Sequence, residues 1–250
     1  MIVVEKLLSI LDAVMDCGGE ASLSDLAKMT GLHISAVRRF TSTLVDKGYL
    51  YQGTRGGKYS PGLKLLRFGE LISVTANIKE LALPLLKELC DKVSETVVLA
   101  VLDQIDCVNI LTVGSEHILQ VVPRTLAKLP LHCTATGKIL LAYMPQEKFD
   151  NIDSILELTA YTDNTITDWS QLKSELETIK NSGIAYDNEE HLTGIRGIGA
   201  PIRGSNGNVI ATVAIVAPSS RISTAKMHQI APQVERCAIK ISHLLGYDGE

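Results

Sequence analysis

Apolar residues open the chain at helical spacing. Leu7, Leu8, Leu11, Val14 and Met15 recur every three or four positions, which predicts an amphipathic helix ended by the two glycines of "CGGE" at 17–20. A second helix is predicted over "SLSDLAKMT", with Ser22 or Ser24 as N-cap, Asp25 in the first turn and Gly31 as the break. A third runs from about Ser35 to Lys47. Val37, Phe40, Thr41 and Leu44 fall on one side of it, and Ser35, Arg39, Ser42 and Asp46 on the other, flanked by Ala36, Arg38 and Thr43. One face is built to pack and the other is polar and mainly basic. After Gly48 the period changes to two: Tyr49 to Gln52 and Lys58 to Ser60 alternate around a Gly-Thr-Arg-Gly-Gly turn, which predicts a hairpin with cations at its tip. Pro61-Gly62 punctuates, and "LKLLRFGELISVTA" resumes a helix of connector type.

From about Asn77 helices and strands intermingle. A helix over 79–93 precedes strands at "TVVLAVL" and "CVNILTV" and a short strand near Leu119 to Val122. Helices follow after Thr136 and after Asp168, strands at "GIAYD", "GIGAPI" and "NVIATVAIV", and a last helix from about Ala225 to Leu245. Hairpin-linked strands with peripheral helices predict an α+β domain rather than a doubly wound one.

A chain of 250 residues holds one large domain or two ordinary ones. The start interrupts its apolar residues with Glu5, Lys6 and Asp12, unlike a signal peptide, and the longest apolar run, Val209 to Pro218, is too short to span a bilayer. A cytoplasmic protein without a membrane partner is expected. Five scattered cysteines, Cys17, Cys90, Cys107, Cys133 and Cys237, with no Cys-x-x-Cys pair, point to reduced buried thiols rather than a disulfide framework or zinc module.

The net charge of -4 disfavours nucleic acid only if it is evenly spread. Between Ile34 and Arg67 stand Arg38, Arg39, Lys47, Arg55, Lys58, Lys64 and Arg67 against one acid, Asp46. Two helices, a glycine turn, a third helix with exposed cations and a basic hairpin make a winged helix-turn-helix. A helix fits the major groove, arginine can meet guanine edges bidentately, and wing cations can reach phosphates or the minor groove. Ser35, Arg39 and Ser42, with Arg38 beside them, are the base-reading candidates; Arg55 and Lys58 are the wing candidates. Double-stranded DNA is the partner this predicts.

The segment "HCTATGKIL", 132–140, admits several chemistries. A phosphate-binding loop needs glycine five residues before Gly-Lys and Ser or Thr after it; His132 and Ile139 hold those places, so that fails. A Cys-His nucleophile needs converging side chains, whereas adjacent His132 and Cys133 diverge if the segment is extended. A metal held by His132, Cys133 and His191 lacks any recurring ligand spacing, and no metal or cofactor is expected. There remains a helix N-terminus, with Thr134 or Thr136 as cap and free N–H groups suited to a carboxylate. In "YDNEEHLTGIRGIGAPI", Asp187, Glu189, Glu190 and Arg196 form either a solvated charge cluster or part of a site, and the glycines at 194, 197 and 199 imply close backbone approach. In "ATVAIVAPSSR", alternation puts Thr212, Ala214 and Val216 on one face.

Taken together, "SLSDLAKMTGLHISAVRRFTSTLVDKGYL", "GGKYSPGLKLL", "LHCTATGKILLA", "GIAYDNEEHLTGIRGIGAPI" and "VIATVAIVAPSSRI" follow the order and spacing of the IclR family of bacterial transcriptional regulators, which the chain resembles over nearly its whole length. The resemblance implies a winged helix-turn-helix over 1–62, a linker helix over 63–76 and a GAF-like effector-binding domain over 77–250, assembled as dimers or tetramers on operator DNA. Arg39 falls where the family keeps its recognition-helix arginine. Ala36 stands in the same DNA-facing segment where Thr is usual, and Ile34 where a polar or basic residue is common. The family's pocket positions correspond to Ala135, Thr136, Gly137, Asp187, Gly197, Ala214 and Val216. Relatives that bind small oxo-acids carry serines at the positions of Ala214 and Val216, so a bulkier or less polar organic acid is expected here. The competing expectation is an enzyme with an accessory winged helix.

Overall fold

The structure is a computed structural model that describes residues 3–54, 56–71 and 73–249, with the backbone alone for 69–71 and 73–77. It divides into two compact units, Met1–Ala76 and Asn77–Glu250.

The first unit contains α1 (Val3–Asp16), α2 (Leu23–Thr30), α3 (Ile34–Asp46), β1 (Leu50–Gln52), β2 (Tyr59–Pro61) and α4 (Leu63–Leu71). Ser22 caps α2 in a capping box: its hydroxyl accepts the Asp25 N–H at 3.2 Å while Asp25 Oδ2 accepts the Ser22 N–H at 3.0 Å. The Ser22 hydrogen bonds hold the Asp25 carboxyl below the usual carboxylate range. Helix α3 begins one residue earlier than expected because His33 caps it, its Nδ1 accepting the Ser35 N–H. Val37, Phe40, Thr41 and Leu44 are its buried residues, and the three apolar ones close with Ile10, Val14, Leu26, Leu50 and Tyr59 into one core. Strands β1 and β2 pair antiparallel in the register Tyr51↔Ser60, and Tyr59 also bridges to Ala21.

Helix α5 (Ser73–Val93) leads into the second unit and starts six residues earlier than the apolar pattern implied. There follow β3 (Thr96–Asp103), β4 (Asp106–Val113), β5 (Lys128–Leu129), α6 (Ala135–Ala142), α7 (Gln146–Phe149), α8 (Trp169–Ser182), β6 (Ala185–Asn188), β7 (Ile195–Arg203), β8 (Val209–Pro218) and α9 (Thr224–Leu244). The strands form one antiparallel sheet in the order β5-β4-β3-β8-β7-β6. The short strand expected near Leu119 to Val122 is absent; that stretch is irregular, and Lys128–Leu129 pairs with β4 instead. Apolar content alone did not distinguish a loop over a cavity from an edge strand.

Both faces of the sheet are covered. Val97, Leu99, Val108, Ile110, Val213 and Ile215 pack beneath α5 and α9, whereas Ala100, Cys107 and Ala185 join Leu131, Ile139, Leu141, Leu172, Leu176 and Ile179 under α6 and α8. The period of two in β8 thus sends Val213 and Ile215 to one core and turns Ala214 and Val216 to the other side. Near α6 that second side is incompletely filled.

Candidate functional site

On the first unit, Ser35, Arg38, Arg39 and Ser42 are exposed on α3, opposite its buried stripe. Ala36 is half-buried and packs against the unit's core, so its methyl is shared between packing and any surface role. Arg39 lies 5.4 Å from the Phe40 ring, which steadies the guanidinium beside the core. Lys58 is exposed next to Glu20, 3.6 Å away, a weak solvent-screened pair that leaves the ammonium available. Gln52 Nε2 donates to the Gly57 carbonyl at 2.8 Å and ties the hairpin end. Arg55 lies outside the described residues.

The second unit holds a cavity of about 240 Å3 on the α6 side of the sheet. The strands contribute Val98, Asn109, Leu129, Asp187, Ile195, Gly197, Ala214 and Val216; the start of α6 contributes Thr134, Ala135 and Thr136; loops add Val121, Val122, Pro123, His191 and Leu192. Of the seven positions expected at a pocket, six meet here. Gly137 does not line it. A Cβ at Gly137 would lie 2.6 Å from both Leu131 Cα and the Pro130 carbonyl oxygen, so this glycine serves close packing of the α6 entry. A similar need explains Gly197 and Gly199: an added Cβ would meet Ala135 Cβ at 3.3 Å and the Ala135 carbonyl at 3.0 Å, respectively. These glycines let the first turn of α6 rest on β7.

Thr134 is the residue that caps α6. Its Oγ1 accepts the Gly137 N–H at 3.0 Å and donates to the Pro130 carbonyl at 2.8 Å. Among the described residues, the N–H groups of Ala135 and Thr136 have no protein acceptor, as expected for a first helical turn. Both residues line the cavity, and a helix N-terminus favours an anion.

Behind that turn lies an ion cluster that the sequence left open. Lys138 is 1% exposed and its Nζ donates to Glu190 Oε1 at 2.7 Å and to Glu175 Oε1 at 3.1 Å. Asp187 Oδ1 accepts the Glu190 N–H at 2.8 Å, and burial pushes the Asp187 carboxyl up to about 7. Glu190 is likewise raised, by burial first, against the pull of Lys138. The charge cluster at 187–190 is therefore structural and mostly buried rather than solvated, while Glu189 turns away to pair with Arg196 at 3.0 Å.

The geometry argues against nucleophilic chemistry in "HCTATGKIL". The segment before α6 is bent rather than extended, and both side chains are buried. The His132 ring is held through Nε2 by the Thr159 carbonyl at 3.0 Å, and burial lowers its basicity. Burial pushes the Cys133 thiol up to about 12, which keeps it protonated and inert. Sequence reasoning missed Asn109, weighed His191 only as a metal ligand, and missed Lys138. The first and last had a visible signal, a polar residue inside the apolar runs "CVNILTV" and "TGKILLA".

A helix-turn-helix with a cationic exposed helix and a hairpin wing, together with a sheet domain enclosing a small cavity, defines a DNA-binding transcriptional regulator with an effector-binding domain. Residues 72–243 match the family described as bacterial transcriptional regulator IclR, C-terminal, and residues 3–53 match the IclR helix-turn-helix domain. The chain belongs to the IclR family. It is 32% identical to the HTH-type transcriptional regulator KdgR of Dickeya chrysanthemi, covering 97% of this chain and 79% of that protein. It is 29% identical to the regulator XynR of Escherichia coli, over 98% of this chain and 97% of that one. Among solved structures, Thermotoga maritima IclR is similar with a TM-score of 0.75 and 32% identity, over 98% of each chain. Among the described residues, no helix is long and apolar enough to cross a membrane.

Proposed function

We propose that this regulator binds operator DNA through Ser35, Ala36, Arg38, Arg39, Ser42, Arg55 and Lys58, and senses a small organic acid in the cavity at α6. The observation that carries the effector reading is the lining itself. Eleven of its sixteen residues are aliphatic, proline or glycine, and the polar remainder gathers at the α6 N-terminus, Asn109, Asp187 and His191. A carboxylate would be received by the Ala135 and Thr136 N–H groups and an apolar body by Val98, Ala214 and Val216. With no lysine or arginine in the lining, the first helical turn is the natural anion anchor.

The units act as residues 1–62 for DNA, 63–76 as linker and 77–250 as sensor, in a cytoplasmic dimer or tetramer. Ligand works only through unequal affinity for the DNA-competent and DNA-incompetent arrangements. Control of genes for catabolism or transport of the acid follows from such a sensor. An enzymatic role finds no support in a protonated Cys133 thiol and a His132 ring tied to main chain.

The test is a thermal-shift panel of small organic acids on the full chain, followed by mobility shifts on the DNA upstream of its own gene. An acid that raises the melting temperature and alters the retarded band is expected. Turnover of such an acid, or DNA retardation indifferent to every acid that binds, would overturn the reading.

A further inference from the structure

Asn109 sits in the middle of β4, fully buried, between Val108 and Ile110, whose side chains join the core beneath α5 and α9. Alternation therefore turns its amide to the opposite face, where it lines the cavity. The main chain of Asn109 is engaged: its N–H donates to the Ala127 carbonyl at 3.4 Å and its carbonyl accepts the Leu126 N–H at 2.6 Å. The side chain is not. Neither Oδ1 nor Nδ2 has a hydrogen-bond partner within the protein. A buried amide left unsatisfied destabilises a fold, and leucine, branched at the same carbon and with the cavity to take its larger volume, would suit the same position, so packing supplies no reason for asparagine. Its register partner on the adjacent strand is Ala100, and Val98 of that strand with the β8 pair Ala214 and Val216 keeps the rest of that wall aliphatic.

We propose that Asn109 is a specificity-determining residue of the effector site, and that the ligand carries, besides its carboxylate, a hydroxyl group that hydrogen-bonds this amide. The inference rests on the reading of this cavity as the effector site. A hydroxyl fits because one oxygen both donates and accepts, matching an amide that offers one acceptor and two donors. A second carboxylate fits poorly: the lining holds no cationic side chain, and Asp187 already places an acid there. The carboxylate end is held by α6 and the hydroxyl end by β4, two rigid elements that define the ligand by the relation between its polar groups.

The experiment compares matched acids by calorimetry on the full chain: hexanoate with 6-hydroxyhexanoate, and benzoate with 3-hydroxybenzoate and 4-hydroxybenzoate. In at least one pair the hydroxy acid binds the natural chain about ten- to a hundredfold more tightly. Asn109→Leu removes that preference while the ligand-free melting temperature stays level or rises. Equal binding within every pair, or a preference that survives Asn109→Leu, overturns the proposal while bound acids leave the effector site standing. A lowered ligand-free melting temperature in Asn109→Leu, with no hydroxyl preference in the natural chain, assigns Asn109 to packing and likewise overturns it. Failure of every acid to bind overturns both readings.

Discussion

Asp187 offers a quantitative test of the cavity's electrostatics. Its carboxyl is 7% exposed, accepts the Glu190 backbone N–H and faces Glu190, with Lys138 engaged by Glu190 and Glu175. Burial raises its pKa from an ordinary 3.8 to about 7. A folded-state pKa above the unfolded one means that the folded state holds the proton longer, so stability falls as pH rises between the two values and levels off above the higher. At 1.36 kcal/mol per pH unit, the full cost of ionising Asp187 in place is about 4 kcal/mol, of which about 2–3 kcal/mol develops between pH 5 and pH 8. Asn is nearly isosteric and its Oδ1 can still accept the Glu190 N–H, so Asp187→Asn removes the titration and keeps the bond. The expected result is a ligand-free melting temperature that, relative to the natural chain, is higher at pH 8 than at pH 5 by about 5–10 °C. Comparing the two pH values cancels any pH-independent effect of the substitution. A melting-temperature difference between the two proteins that is the same at pH 5 and pH 8 refutes the account of a carboxyl strained by burial.

Three further outcomes follow from the same geometry. Lys138→Met leaves Glu190 buried without its cation and should cost about 3–5 kcal/mol in urea denaturation, part of which returns when Glu190→Gln is added; a single variant as stable as the natural chain would contradict the cluster. Gly137→Ala drives a methyl into backbone and should destabilise by about 1–3 kcal/mol, whereas at Gly197 the nearest atoms to an added methyl are Ala135 Cβ and Asp187 Cβ at 3.3 and 3.4 Å, so Gly197→Ala should destabilise less and weaken acid binding more. The reverse order in a melting and calorimetry comparison would show that the two glycines were assigned the wrong way round. Arg39→Ala should weaken specific operator binding by about 1–3 kcal/mol, while Lys58→Ala should weaken all DNA sequences alike and reduce the salt slope by about 1. Unchanged mobility shifts in both variants would remove α3 and the wing from the DNA surface.

Local pattern carried the first unit furthest. The period of Val37, Phe40, Thr41 and Leu44 names the buried face of α3 and, by subtraction, the exposed one, because a helix that packs by one stripe leaves its cations to solvent. The alternation of β8 likewise distinguished Ala214 and Val216 from Val213 and Ile215 without any knowledge of the sheet order. The apolar stretch near Leu119 to Val122 misled for the same reason that these succeeded: composition reports that residues are apolar and not what they cover.

What the sequence determined by itself were most of the elements, the winged helix, the α+β class and the family to which the chain belongs, all of which depend on residues close together or on motifs in order. Only the tertiary structure decided that Asp187, 50 residues beyond Gly137, is buried beside the first turn of α6 rather than solvated. It also decided that Gly137 packs while Ala135 and Thr136 face the cavity, and that Asn109 turns an unpaired amide into it. Burial and orphaned hydrogen-bond groups arise from contacts between distant segments, and no local period encodes them.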